Sequence, residues 1–557
     1  MRMETVLTPR TDKATNRWLP LGIFLAAVAT FVVAYHRYFV PDWVPLADSA
    51  SNAMLVMDAK RLALLHGNYS RVGFYHPGPH LFYLMAAGEY LFHDLLGIAK
   101  ATEAAQQLAV ICLSIVILQI VERVYRDLAA GDVLVSLCAT AATAFSVVLM
   151  LPDAFTSVWV PYTYVTGGLL FYVGAAALIA GRFQWLWVFV LGGAILVSGH
   201  ASFLGLVPMM GLVVVCAILA WQPRTRSLSG IRSLVAEHRR GVIASVVILA
   251  ILLLPIVLHV LQHFPGEFRK YIEFSGKQPR KGWIAVLYVL LPYWKFAGVA
   301  AIAFLASFLT GPVRAPSDDR RNAIAAAALA VFIAGTGAVI FYLQKGVDVI
   351  ADHSLYLVWW YQAVPATCVG LAVVYVGMAA ARRLAFLAML VVLVPAALWF
   401  TRWPLPGAND LANVNNAIAF LQQKSRESGR PVRIALDVKD DLYFDVWARA
   451  VGLIAEQERR GGGIACIEGY HWALSYHERN RCAPANPNEV QIRLVGSYDD
   501  LTPIGARVVA TFMGLRIYDI KPANWPLDRI RNPWVGLSKE SADAAHGGTT
   551  DPASALH

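Results

Sequence analysis

Between Ala47 and Tyr83 the chain reads ADSASNAMLVMDAKRLALLHGNYSRVGFYHPGPHLFY, a polar stretch just after the first apolar run. It carries two acids (Asp48, Asp58), the cations Lys60, Arg61 and Arg71, and three histidines (His66, His76, His80). A loop that only joins two membrane helices needs none of these groups. A carboxylate at that place can take a proton from an acceptor hydroxyl or bind a divalent cation. Cations beside it can hold a phosphate. Together, at a membrane surface, they suit a reaction on a lipid-linked, negatively charged substrate.

Each group also has a plainer reading. Asp48-Ser49 before an apolar run makes a good helix N-cap. Asp58, beside Lys60 and Arg61, reads first as a solvated helix face. Asp153, in LPDAFTSVWVPY, can start a turn with Pro152; it can also meet Asp48 in one cavity and share base, positioning or metal-binding work with it. Arg71, His76 and His80 flank the rigid Pro77-Gly78-Pro79 turn, and Arg71 offers a forked donor for a phosphate. Residues 259–283 hold Arg269, Lys270, Lys277, Arg280 and Lys281 on the side where topology disfavours cations, which points to phosphate binding or to attraction toward anionic headgroups. His200, His259, His263 and His353 fall near the same ends of their helices and suggest a polar outer cavity. His259 and His263 come closest to a metal pair, a weak signal, so a divalent cation stays possible and the metal ligands unknown. Asp348, Asp352 and His353 precede Trp359, Trp360 and Tyr361, which read as an interfacial aromatic belt.

The elements that must position these groups are membrane helices. The chain has 557 residues, 57% hydrophobic and 15% charged, with mean hydropathy +0.53; soluble domains carry about 25% charged residues. Apolar runs predict about eleven spans: 18–36, 103–121, 133–150, 162–181, 184–200, 203–220, 241–261, 289–310, 323–343, 357–380 and 384–401. The broken apolar segment 79–97 reads as an interfacial helix. Segment 1–17 is basic and is placed inside. Every inner loop is then basic, as the positive-inside rule requires, and the outer loops are 37–102 and 259–288. From 402 to 530, helical patterns at 410–428 and 441–460 alternate with short apolar runs, which predicts a small extracytoplasmic α/β domain; residues 531–557 read as a disordered tail. Cys466 and Cys482 can pair if that region is extracytoplasmic. The net charge of +10 lies largely in short loops and does not point to nucleic acid. No Walker A motif or G-x-S-x-G elbow is present. Span interiors nearly lack charge, which argues against an ion-coupled relay.

An outer-loop Asp after the first span, then a helix, a Gly-containing turn and His76-Pro77-Gly78-Pro79 before an apolar interfacial helix resembles the GT-C superfamily of membrane glycosyltransferases. The similarity is to the protein-mannosyltransferase and aminoarabinose-transferase branch, with Asp153 at the place of that branch's second acid. The sequence departs from it in having Ser49 after the first acid, a longer spacing to Gly67, and HPGP where the branch has Pro-Pro-Leu. The resemblance implies a polyprenyl-phosphate sugar donor, an envelope glycan, lipid or protein acceptor, inversion at the anomeric carbon and a periplasmic site in a bacterial inner membrane. In that reading Asp48 is base or metal ligand, Asp153 assists, and Arg71, His76, Arg269, Lys270, Arg280 and Lys281 hold the phosphate. Asp58, His80, His200 and His353 are secondary candidates. A polyprenyl-linked glycan flippase or polymerase, or a membrane-anchored envelope-binding scaffold, are the alternatives.

Overall fold

The computed structural model describes residues 43–70, 74–276, 282–293, 319–345, 355–377, 411–428, 433–437, 443–461, 466–468, 491–495, 507–512 and 515–520, with 25, 28–29, 32–33 and 36–39. Segment 1–17, most of span 18–36, span 384–401, Cys482 and the tail 531–557 lie outside the described residues.

After a single helical turn at His36–Phe39 come α1 (Ala47–Lys60) and α2 (His80–Gly88), the latter continued by a π-helical stretch, Glu89–Leu95. The bundle then runs α3 (Thr102–Leu128), α4 (Val133–Met150), α5 (Val160–Ile179), α6 (Leu186–Gly199) and α7 (Phe203–Trp221). It continues with α8 (Leu228–Glu237), α9 (Arg239–Gln262), α10 (Gly266–Gly276), α11 (Trp283–Tyr293), α12 (Asp319–Lys345) and α13 (Ala363–Gly377), which follows a 3-10 helix over Leu355–Gln362. Seven of the described helical segments are long and apolar enough to cross a membrane, and Phe183–Gly199 and Trp283–Tyr293 are shorter apolar helices. The chain is a multi-pass membrane protein. Val133–Met150 has the expected bounds; α11 begins at Trp283, ahead of the expected 289, and residues 294–310 lie outside the described residues.

Helix α5 is the centre of the bundle, buried on all sides. Lipid gives apolar helices no hydrophobic reason to associate, so close backbone packing must hold them. Glycine supplies it here. A Cβ on Gly192 of α6 would sit 2.2 Å from the backbone N of Phe171, and one on Gly174 of α5 would sit 2.5 Å from that of Phe189. Trp360 and Tyr361 are fully buried against this core. They are therefore not the interfacial belt read from the sequence: the tight 3-10 turn sends successive aromatics in different directions, and these two point inward.

Asp58 is also buried, 7% exposed, and lies 3.8 Å from Arg61, so the solvated-face reading does not hold. Lys60 reaches across to Glu89 (2.9 Å) and Asp94 (2.6 Å), and Gln106 donates to Glu89. The acids that interrupt the apolar segment after His80 are thus tied to α1.

Farther along, α14 (Leu411–Ser428) and α15 (Tyr443–Arg459) accompany five strands: β1 (Arg433–Asp437), β2 (Cys466–Glu468), β3 (Gln491–Val495), β4 (Arg507–Phe512) and β5 (Leu515–Ile520). The sheet order is β2-β1-β3-β5-β4. Strand β1 runs parallel to β2 and β3, while β5 is antiparallel to β3 and β4. Helix α15 packs on α1. At the contact, a Cβ on Gly452 would lie 2.7 Å from Pro45 O and from Leu46 Cδ2.

Candidate active site

Asp48 is exposed and sits in the first turn of α1. It is not the N-cap: Leu46 holds that position, without a side-chain bond to the helix. Negative charge is favoured at a helix N-terminus. Ala47 just before it has φ 49°, a left-handed conformation that costs a residue with a Cβ roughly 1–2 kcal/mol. Neighbouring contacts hold this turn. Ser49 Oγ donates to Glu103 Oε1 (2.8 Å) and Trp43 Nε1 to Glu103 Oε2 (3.3 Å), so the turn is fastened to the start of α3.

The Asp48 carboxylate accepts a hydrogen bond from Trp159 Nε1 at 2.9 Å. Trp159 precedes α5, and its ring meets those of Tyr162 (6.0 Å), Tyr356 (4.9 Å) and Trp359 (5.4 Å). Tyr162 stacks with Trp359 at 4.7 Å and hydrogen-bonds to the Asp153 side chain. Asp153 also begins a turn, its carbonyl accepting from Thr156 and Ser157. Burial raises the Asp153 carboxyl above the ordinary aspartate value, and the Tyr162 bond works against that rise. The structure therefore brings Asp48 and Asp153 to one cluster of four aromatic side chains. Flat rings next to carboxylates offer both a stacking face and polar anchors to a small polar ligand.

The histidines form two groups. His76 and His200 stack at 4.2 Å, and His80 Nδ1 is 2.7 Å from Ser198 Oγ. His76 Nδ1 accepts from the Ala201 backbone and His200 Nδ1 meets Ser202 Oγ at 2.8 Å. Removal of water holds His80 and His200 down at about 4, and lowers His76 well below 6.5, with its neighbour His200 adding to the effect. All three are neutral at pH 7, so they can offer hydrogen bonds but no positive charge. The HPGP turn is fitted against α6: Gly78 N donates to Ser198 O, and a Cβ at Gly78 would overlap the Ser198 hydroxyl at 1.9 Å.

The second group lines a cavity of about 450 Å³ with Tyr75, Gln262, Glu267 and Lys270. His259 stands 5.3 Å from His66 and 4.7 Å from His263, ring to ring. Helix α10 forms one wall of this cavity through Gly266, Glu267 and Lys270. Glu267 accepts from Tyr75 N at 2.9 Å, Tyr271 OH donates to Tyr75 O, and Phe74 packs on Tyr271 and Phe274. Of the cations here, Lys270 pairs with Glu267 (3.1 Å) and Arg269 with Glu273 (2.6 Å). Arg71, Arg280, Lys281 and His353 lie outside the described residues. Among the described residues no three His, Cys, Asp or Glu come together as metal ligands.

Sequence reasoning missed Trp159, Tyr162, Tyr356, Glu103 and Glu267. A usable signal existed for the first two, because WVPY follows Asp153 closely and its rings border a polar loop.

Among solved structures, the chain is similar to ArnT from Cupriavidus metallidurans bound to undecaprenyl phosphate, with TM-score 0.53 and 15% sequence identity, over 90% of this chain and 98% of that one. No protein-family model matches the sequence, and no curated protein matches it. The likeness shows a shared fold: the chain has the membrane architecture of that protein over nearly its whole length.

Proposed function

We propose that the chain is a membrane glycosyltransferase that moves a sugar from a polyprenyl-phosphate donor to an envelope glycan, lipid or protein acceptor. The supporting observation is Asp48, an exposed carboxylate held by Trp159 beside Asp153 and an aromatic wall. The fold is shared with a protein that binds undecaprenyl phosphate.

In this reading the acceptor hydroxyl loses its proton to Asp48 as its oxygen bonds to the anomeric carbon. The bond from that carbon to the phosphate oxygen breaks on the opposite face. Polyprenyl phosphate leaves with the electron pair, and the configuration inverts. Asp153, steadied by Tyr162, positions the sugar or acceptor. Trp159, Tyr162 and Trp359 offer ring faces to the sugar. Lys270 and Arg269, with Arg71, Arg280 and Lys281 from the adjoining segments, hold the phosphate; His76 contributes a neutral hydrogen bond. The site faces the periplasm of a bacterial inner membrane, with the N-terminus inside and the five-stranded sheet in an extracytoplasmic α/β domain.

The test is mass spectrometry of lipid-linked sugars and envelope glycans in cells lacking the protein. One polyprenyl-phosphate sugar should accumulate and one glycan decoration disappear, with rescue by wild type but not by Asp48→Asn. Rescue by Asp48→Asn would overturn the assignment of Asp48 and favour transport or scaffolding.

A further inference from the structure

Four arginines converge at the end of the bundle remote from Asp48. Arg123 and Arg126 come from the last turns of α3, Arg182 from the turn between α5 and α6, and Arg320 from the start of α12. With Asp127, Ala130 and Gly131 they line a cavity of about 480 Å³. Its position follows from α3 itself. Glu103, which binds Ser49 beside Asp48, starts this helix. At about 1.5 Å per residue, Arg123 lies roughly 30 Å farther along, about the thickness of the hydrocarbon core.

The nearby acids are already engaged. Glu122 binds Arg126 and accepts from Ser136. Asp127 accepts from Gln184 and Trp185, and lies 3.8 Å from Arg182. Among the described residues Arg123 and Arg320 form no ion pair. Four guanidinium groups thus face two carboxylates that also serve other donors. Topology alone asks only for cations scattered through the inner loops, such as Arg224, which pairs with Glu237, and Arg226, which donates to the Leu219 and Ala220 carbonyls in the last turn of α7. It does not ask three separate segments to bring like charges around one depression, where they repel.

We propose that this cavity binds a phosphate group, carried by an anionic phospholipid of the leaflet at that face. Guanidinium forks match phosphate oxygens, and basic pockets between membrane helices suit acidic headgroups. The lipid source is favoured by the exposed apolar side chains Val133 and Leu137 just beyond Gly131 on α4, which give acyl chains a surface to follow. The loop itself leaves the cavity open. Ala130 and Gly131 take left-handed backbone (φ 58° and 91°), turning the chain directly from α3 into α4, and a Cβ on Gly131 would meet nothing within 4 Å.

The experiment is native mass spectrometry of the full chain purified in detergent and titrated with phosphatidylglycerol or phosphatidylcholine. Wild type should retain phosphatidylglycerol in preference. The Arg182→Gln/Arg320→Gln variant should retain it tenfold less or lower still, on the order expected for two lost contacts. The Arg224→Gln/Arg226→Gln variant removes equal charge nearby and should retain it like wild type. Equal loss in both variants, or equal retention in both, would overturn the site. Displacement by millimolar inorganic phosphate would overturn the lipid source and identify free phosphate as the ligand. If the first double variant does not purify, Arg123→Gln alone should lower retention roughly fivefold; no change would overturn the proposal. The readout is bound lipid rather than turnover, so it stands apart from the transferase reading.

Discussion

An indole N–H aimed at a carboxylate fixes that carboxylate in one direction, and Trp159 does this for Asp48. A hydrogen bond to a charged group is worth about 1.5–3 kcal/mol. Trp159→Phe keeps an aromatic face and removes the donor. It should lower kcat on the order of tenfold while donor KM stays within about twofold. Steady-state kinetics on membranes would check this, and an unchanged kcat would remove the positioning role. At this scale the meeting of Asp48 and Asp153 was open to expectation, because outer-loop carboxylates distant in sequence can share one cavity. Their aromatic neighbours were not. A Trp near a helix end is ordinarily an interfacial anchor, and only the fold distinguishes Trp359, stacked on Tyr162, from Trp360, buried in the core.

Elements were easier to read than their partners. The hydropathy runs located most of the described spans to within about four residues, because a bilayer fixes both length and composition; α3 runs on to Leu128, past the expected 121, and α11 starts at Trp283, ahead of 289. The helical pattern at 441–460 gave no sign that α15 would rest on α1, since an apolar face does not say what covers it. The contact depends on Gly452, whose missing side chain leaves room for Pro45 O and Leu46. Gly452→Leu should push α15 away, at a cost of about 1–3 kcal/mol for overpacking, and free the turn that presents Asp48. The expected result is lost turnover in a protein that still inserts and elutes as a single species, with Gly452→Ala milder. Full turnover in Gly452→Leu would show that α15 does not support Asp48. Lys60 is a similar case: its distance in sequence from Glu89 and Asp94 hid a bridge that joins α1 to the π-helical stretch.

Across the whole molecule, the neutral histidines make stability depend on pH. An unfolded chain protonates His80 and His200 near pH 6.5, whereas the folded chain does so only near about 4. Between those values the unfolded chain binds more protons, so stability falls as pH falls, by about 1.4 kcal/mol per pH unit for each histidine. Intrinsic-fluorescence melts of solubilised protein should therefore show Tm dropping from pH 6.5 to 4.5, with a shallower slope in His200→Gln. An equal slope would remove His200 from the effect. The gathering of arginines toward one end of the bundle was legible as loop charge. Convergence into single cavities was not, because it depends on which helices become neighbours. The seat of α15 on α1 also has a consequence in time. Pro45 and Leu46 leave the ribosome long before Gly452, roughly 20 to 80 s earlier at about 5–20 residues per second. Through that interval the turn before Asp48 exists without its cover. A nascent chain stalled before Gly452 would hold most of the membrane bundle and the aromatic wall, while the Asp48 turn still waited for the segment that covers it.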